Sequence, residues 1–128
     1  MTRILVVDDN ISFRKMLKTA LEKAGYDVEE AGDGKSCCDA YLQCPFDIVI
    51  MDLVLPEKDG IESIHRLREE FCEVKIIAVS GIMSPDGKKL SLLDRALDHG
   101  ADFAMKKPIK INELLANIET LLNEKINH

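Results

Sequence analysis

The sequence predicts an α/β fold, a doubly wound parallel sheet of five strands with helices on both faces. Two patterns point to it. Short runs such as Ile4-Leu5-Val6-Val7, Ile48-Val49-Ile50-Met51 and Ile76-Ile77-Ala78-Val79 are apolar at every position and are separated by stretches with helical periodicity. Strands that are continuously apolar, rather than alternating, are those covered on both faces. Each run also ends in polar chemistry: Asp8-Asp9, Asp52, Ser80, and Lys106-Lys107-Pro108 after Phe103-Ala104-Met105. Right-handed crossovers in a parallel sheet place all of those strand ends on one edge.

The elements follow in order. Residues 3–7 are the first strand. A helix over 12–24 carries Phe13, Met16, Leu17, Ala20, Leu21 and Ala24 as its apolar stripe, with Asn10 or Ser12 as cap and Gly25 as terminator. A short strand, Tyr26 to Ala31, leads into the turn Gly32-Asp33-Gly34, and a weaker helix over 35–43 stops before Pro45. Residues 47–51 are the most hydrophobic strand. A loop from Pro56 to Gly60 precedes a helix over 60–71, with Ile61, Ile64, Leu67, Arg68 and Phe71 in register. Residues 75–79 form the fourth strand. A longer loop through Gly81-Ile82-Met83-Ser84-Pro85-Asp86-Gly87 precedes a helix over 88–98, ended by Gly100. The last strand is 102–105. The last helix, 110–125, carries Ile111, Leu114, Leu115, Ile118, Leu121 and Leu122.

The chain has 128 residues, the size of one domain, and is expected to be a single domain over 1–128. With 46% apolar and 31% charged residues it has the composition of a water-soluble globule. Its net charge of −6 disfavours nucleic acid or an anionic membrane as principal partner, because both need a cationic face. No apolar run approaches the ~20 residues of a membrane span. No signal-peptide core follows Met1, so a cytoplasmic location is expected. Cys37, Cys38, Cys44 and Cys72 form no CxxC pair and read as reduced thiols. His65 and His99 read as surface groups, the latter at a helix C-terminus, and Lys88, Lys89 and Lys106 as surface charges.

The polar strand ends define a candidate site. Asp8, Asp9 and Asp52 would repel one another, and a hard divalent cation such as Mg²⁺ relieves that repulsion. The backbone carbonyl of Val54, just beyond the strand tip, is a candidate further ligand. An aspartate so placed can accept a phosphoryl group as an acyl phosphate. Catalysing that transfer is mostly positioning and charge neutralisation. Asp52 is the candidate nucleophile because its strand is the most apolar and hence central. Lys107 is the point charge for one phosphoryl oxygen and Ser80 a hydrogen-bond donor for another.

These words, together with Leu55-Pro56 followed by Asp59-Gly60, Val79-Ser80-Gly81 and Gly100-Ala101-Asp102, resemble the receiver domain of bacterial two-component response regulators, particularly stand-alone chemotaxis-type members. The resemblance spans essentially the whole chain. It implies strand order 2-1-3-4-5, the flavodoxin-like arrangement. It implies Asp52 as phosphoacceptor, Asp9 as direct Mg²⁺ ligand (Mn²⁺ being a substitute), and Asp8 as a ligand acting partly through water. Ser80 and Lys107 stand where the family has its hydroxyl and its lysine. A histidine kinase or histidine phosphotransfer protein would be the phosphodonor. The chain would catalyse its own phosphorylation and slow dephosphorylation without turning over an external substrate. As a stand-alone switch it would signal to an effector protein by contact, as a monomer or as a phosphorylation-dependent homodimer.

Two departures are expected to matter. Ala104 occupies the position of the family's switch aromatic, and Phe103 should face the other side of the sheet. The segment from Ser80 to Gly100 is also longer than usual, so signalling is expected to run through loop 81–87 more than through aromatic rotation. Val54 and Ile82 are apolar and should offer no hydrogen bond to an attacking water. Three other readings compete: a phosphate carrier to a histidine phosphotransfer protein, an Asp-nucleophile phosphatase of the haloacid-dehalogenase type, and a degenerate adaptor. The phosphatase reading wants an acid where Val54 stands, and the intact acidic set argues against the adaptor. A flavin-binding flavodoxin reading lacks a phosphate loop after the first strand.

Overall fold

The computed structural model describes residues 2–33, 36, 39–40, 43, 45–53, 60–70, 74–81 and 95–126. Five strands, β1 (Arg3–Val7), β2 (Asp27–Ala31), β3 (Ile48–Asp52), β4 (Lys75–Ser80) and β5 (Phe103–Lys106), pair in parallel in the order β2-β1-β3-β4-β5. Helices α1 (Ile11–Lys23), α2 (Gly60–Glu70) and α3 (Ile111–Ile126) pack on them. Residues 36, 39, 40, 43 and 95–98 are also helical. The expected fold class and strand order are therefore those observed, with β3 central. The architecture is the flavodoxin-like arrangement. Among the described residues no helix is long and apolar enough to cross a membrane.

Alternation along the strands divides the core in two. Leu5, Val49, Met51, Ile76 and Ala78 pack with Ile61, Ile64 and Leu67 of α2. Ile4, Val6, Ile48, Ile50, Ile77 and Val79 pack with Leu17 and Leu21 of α1 and Leu114, Ile118 and Leu121 of α3. Because successive strand side chains point to opposite faces, both layers must be apolar, which is why these strands read as unbroken hydrophobic runs. Phe103 lies with the α1–α3 layer and Ala104 against the α2 layer, on opposite faces as their spacing requires.

α1 starts at Asn10, whose side chain accepts the Phe13 N–H at 3.0 Å. Of the two candidate caps the structure therefore uses Asn10. The helix ends through Ala24 into Gly25 at φ +98°, a conformation that favours glycine. Its stripe is narrower than expected. Leu17 and Leu21 are buried, whereas Met16 is 47% exposed and Ala24 is exposed beyond the last turn. Packing on a sheet admits mainly the i, i+4 row, and Met16 lies about 100° around the helix from Leu17. Four strands differ by one residue from expectation. β2 begins at Asp27, where its pairing with β1 starts, while β3, β4 and β5 run on to Asp52, Ser80 and Lys106 because pairing to a neighbouring strand continues to those residues.

Candidate active site at the strand C-termini

Register brings the acids together. Val7 pairs with Met51 in β1–β3, so the next residues, Asp8 and Asp52, stand side by side. Asp52 itself pairs with Val79 of β4, and Ser80 with Lys106 of β5. By alternation Asp8, Asp52 and Lys107 continue the α1–α3 face, while Ser80 continues the α2 face.

Asp8, Asp9 and Asp52 each present a carboxylate oxygen within 4.8 Å of the others. Asp8 and Asp52 are buried and Asp9 is exposed. Lys107 Nζ donates to Asp8 Oδ2 at 2.7 Å and lies 3.5 Å from Asp52 Oδ2. It also sits 4.1 Å from the centroid of the Phe13 ring. The lysine backbone is fixed by its N–H donating to the Ser80 carbonyl at 2.7 Å, and a cis peptide joins it to Pro108. One ammonium thus serves two of the three clustered carboxylates, Asp8 and Asp52. A cluster of hard oxygens with a surplus of negative charge suits a divalent cation of the Mg²⁺ class.

Ser80 is fully buried at the tip of β4. Its Oγ makes no hydrogen bond among the described residues, unusual for a buried hydroxyl. The structure therefore gathers Asp8, Asp9, Asp52 and Lys107 at the carboxyl edge and sets Ser80 at the same edge on the opposite face. Val54, proposed to contribute its carbonyl, lies outside the described residues. So do Ile82, Met83, Lys88, Lys89, Phe71, all four cysteines and nearly all of the long loop after Ser80.

Several supporting residues escaped the sequence reading. Arg14 Nη1 donates to the Asp8 carbonyl at 2.8 Å, and its Nε to Glu30 Oε1 at 3.1 Å, so it clamps the backbone that carries the acid pair. Asp8 Oδ1 accepts the Asn10 N–H at 2.8 Å. A Cβ on Gly60 would collide with the carbonyl oxygen of Asp52 and come within 2.7 Å of Leu53 Cα, so only glycine lets α2 begin against that strand tip. Asp59-Gly60 was legible as a motif, but its partner across the loop was not. Arg14 lies outside the apolar stripe of its helix, with no local signal of what its guanidinium would reach.

A family model for the response regulator receiver domain matches residues 4–119. This chain belongs to the response regulator receiver family.

Among curated proteins, this receiver is 36% identical over 120 residues to response regulator MprA of Mycolicibacterium vanbaalenii, covering 94% of this chain and 50% of that protein. It is 32% identical over 124 residues to RpaA of Synechocystis, named a DNA-binding dual master transcriptional regulator, covering 95% of this chain and 49% of that one. The chain spans about half the length of the curated relatives it matches. Among solved structures, a CheY-like receiver domain protein from Methanospirillum hungatei superposes with a TM-score of 0.85 at 28% identity, covering 100% of this chain and 99% of that chain. Vibrio cholerae chemotaxis protein CheY4 gives 0.81 at 29% identity, covering 94% of this chain and 98% of that one. The resemblance drawn from the motifs and the family membership agree.

Proposed function

We propose that this receiver accepts a phosphoryl group on Asp52 and relays a signal through protein–protein contact. The observation that carries the reading is the meeting of Asp8, Asp9 and Asp52 within 4.8 Å, with Lys107 Nζ between Asp8 and Asp52. In this reading Asp9 is a direct ligand for Mg²⁺ (or Mn²⁺), Asp8 acts partly through water, and Asp52 and the Val54 carbonyl complete the protein's share. When bound, the cation supplies charge neutralisation at the phosphoryl oxygens.

The residues divide the remaining work. An Asp52 carboxylate oxygen attacks phosphorus in line. The new O–P bond forms as the donor's N–P bond breaks, and the departing imidazole keeps the bonding pair and takes up a proton. Lys107 holds positive charge where an equatorial oxygen gains negative charge. The Ser80 hydroxyl, without a hydrogen-bond partner among the described residues, donates to another of those oxygens. Release follows when water attacks phosphorus and the Asp52 O–P bond breaks, giving inorganic phosphate and the free carboxylate. Val54 and Ile82 offer that water no hydrogen bond, so the phosphoryl group is long-lived. Hydrolysis faster in wild type than in Val54→Asn would count against this.

The donor is a histidine kinase or histidine phosphotransfer protein. Residues 1–128 act as one receiver unit in the cytoplasm, regulating a protein effector as monomer or phosphorylation-dependent dimer. The stand-alone reading rests on likeness to chemotaxis-type receivers. RpaA is named as DNA-binding, but a segment of net charge −6 is itself a poor polyanion ligand, so we propose no nucleic-acid contact for it. Half-buried Ala104 cannot act as a switching aromatic, and Phe103 packs on the other face, so phosphorylation is communicated through the 81–87 loop.

The test is incubation with Mg²⁺ and acetyl phosphate, read by intact mass. One phosphoryl group should appear on wild type and none on Asp52→Asn. An unmodified wild type, or an equally modified Asp52→Asn, would overturn the assignment.

A further inference from the structure

We infer that Phe13 is a positioning residue for Lys107. This deepens the reading of Asp52 as phosphoacceptor and rests on it. The Lys107 ammonium lies 4.1 Å from the centre of the Phe13 ring, within the range where a cation is attracted to the negative face of an aromatic quadrupole. Phe13 is half-buried and Lys107 keeps partial solvent contact, so the ammonium's hydration is partly replaced by the ring. A flexible four-carbon stem would otherwise leave the charge free to range.

The contact closes a ring of four. Asp8 Oδ1 accepts the Asn10 N–H at 2.8 Å. Asn10 Oδ1 accepts the Phe13 N–H at 3.0 Å, which fixes the first turn of α1 and the place of the Phe13 backbone. The Phe13 ring faces the Lys107 ammonium, and Lys107 donates back to Asp8 Oδ2 at 2.7 Å. The loop carrying the acids, the start of α1 and the segment after β5 are thereby locked to one another through Phe13. The ring adds attraction but no hydrogen-bond acceptor. It holds the ammonium near Asp52 without competing for the donors that a phosphoryl oxygen needs. A carboxylate in the same place would hold the lysine too tightly. An aliphatic side chain would leave its orientation to the Asp8 and Asp52 contacts alone.

Phe13→Leu keeps an apolar side chain at the α1 face and removes the ring, whereas Phe13→Tyr keeps the ring. The expected result is an about fivefold fall in the rate of Asp52 phosphorylation by acetyl phosphate in Phe13→Leu, with near-wild-type rates in Phe13→Tyr. In the protein without phosphodonor, the Lys107 ε-methylene proton signals should move downfield in Phe13→Leu as the ring current is lost, and stay in place in Phe13→Tyr. A wild-type rate in Phe13→Leu well below its melting temperature, or unchanged Lys107 signals, would overturn the inference. So would a Phe13→Tyr protein as slow as the leucine variant. Failure of wild type to accept phosphate would instead sink the proposed function, while the methylene signals would still decide whether the ring holds the lysine.

Discussion

Carboxylates meet cations at both edges of the sheet, in different arrangements. At the amino edge, Asp102 Oδ2 accepts the Ile76 N–H at 2.8 Å and Arg68 Nη2 at 3.1 Å. Arg68 also donates to the carbonyls of Gly100 at 2.7 Å and Val74 at 2.5 Å. Nearby, Asp47 Oδ2 accepts the Arg3 N–H at 2.9 Å. Each of these carboxylates meets donors of its own, and α2, β4 and the approach to β5 are tied together. At the carboxyl edge Lys107 pairs with Asp8 and Asp52 of the three clustered carboxylates, and among the described residues Asp9 forms no ion pair. The same residue types make a brace where each carboxylate meets donors of its own and a candidate cation site where three carboxylates crowd together. Such crowding costs stability in the free protein, and a bound cation would recover it.

That contrast can be broken or sharpened by experiment. The largest effect is expected at the brace. Arg68→Ala strands two carbonyls and a partly buried carboxylate, and should cost about 3 kcal/mol in urea unfolding. A loss below about 1 kcal/mol would show water replacing the guanidinium and would erase the distinction between the edges.

Next in size is cation linkage. Mg²⁺ at a hundredfold excess over its dissociation constant should stabilise wild type by about 2.7 kcal/mol. Arg68→Ala should keep the full increment and Asp9→Asn should lose most of it, as read from melting curves with Mg²⁺ or with a chelator. In the chelator, Asp9→Asn should be more stable than wild type by about 0.5–1 kcal/mol, because one of three crowded charges is gone. A destabilised Asp9→Asn would mean that the carboxyl edge, too, is built for the fold.

Ser80→Ala removes a buried hydroxyl without a partner among the described residues, so its stability should stay within about 0.5 kcal/mol of wild type or rise. The rate of Asp52 phosphorylation by acetyl phosphate should fall by more than folding stability does. The smallest effect lies at Tyr26, just before β2. Burial, with the Glu119 carboxylate adding to it, pushes the Tyr26 phenol above its ordinary value. A raised folded value means that the native state holds its proton longer. The associated stability is present below pH ~10 and is lost as pH rises through the folded value. Tyr26→Phe should flatten that alkaline decline in a pH series of unfolding curves.

Much of this was legible before any coordinates. Continuous apolar runs revealed a sheet covered on both faces, and the polar residue after each run marked the carboxyl edge where the acids and the lysine meet. Asp8, Asp9, Asp52 and Lys107 were all found that way, because a strand carries its last residue to a predictable place. Met16 and Ala24 were misjudged because periodicity reports a face, not how wide a strip the sheet covers. Arg14 and Arg68 were missed for a related reason. A long guanidinium chooses its partners across 16 or 34 positions of sequence, and nothing local announces them.

The sequence by itself determined the α/β class, the central place of the Asp52 strand and the identity of the acids and the lysine, since these depend on local patterns of polarity and period. Tertiary structure alone decided how the charges are apportioned: that Lys107 sits closer to Asp8 than to Asp52, that the Phe13 ring backs it, and that Ser80 lies buried on the other face. Those outcomes depend on register between strands and on distances of a few ångströms between segments remote along the chain. Electrostatic and packing forces act through space there, and a linear order of residues does not contain those separations.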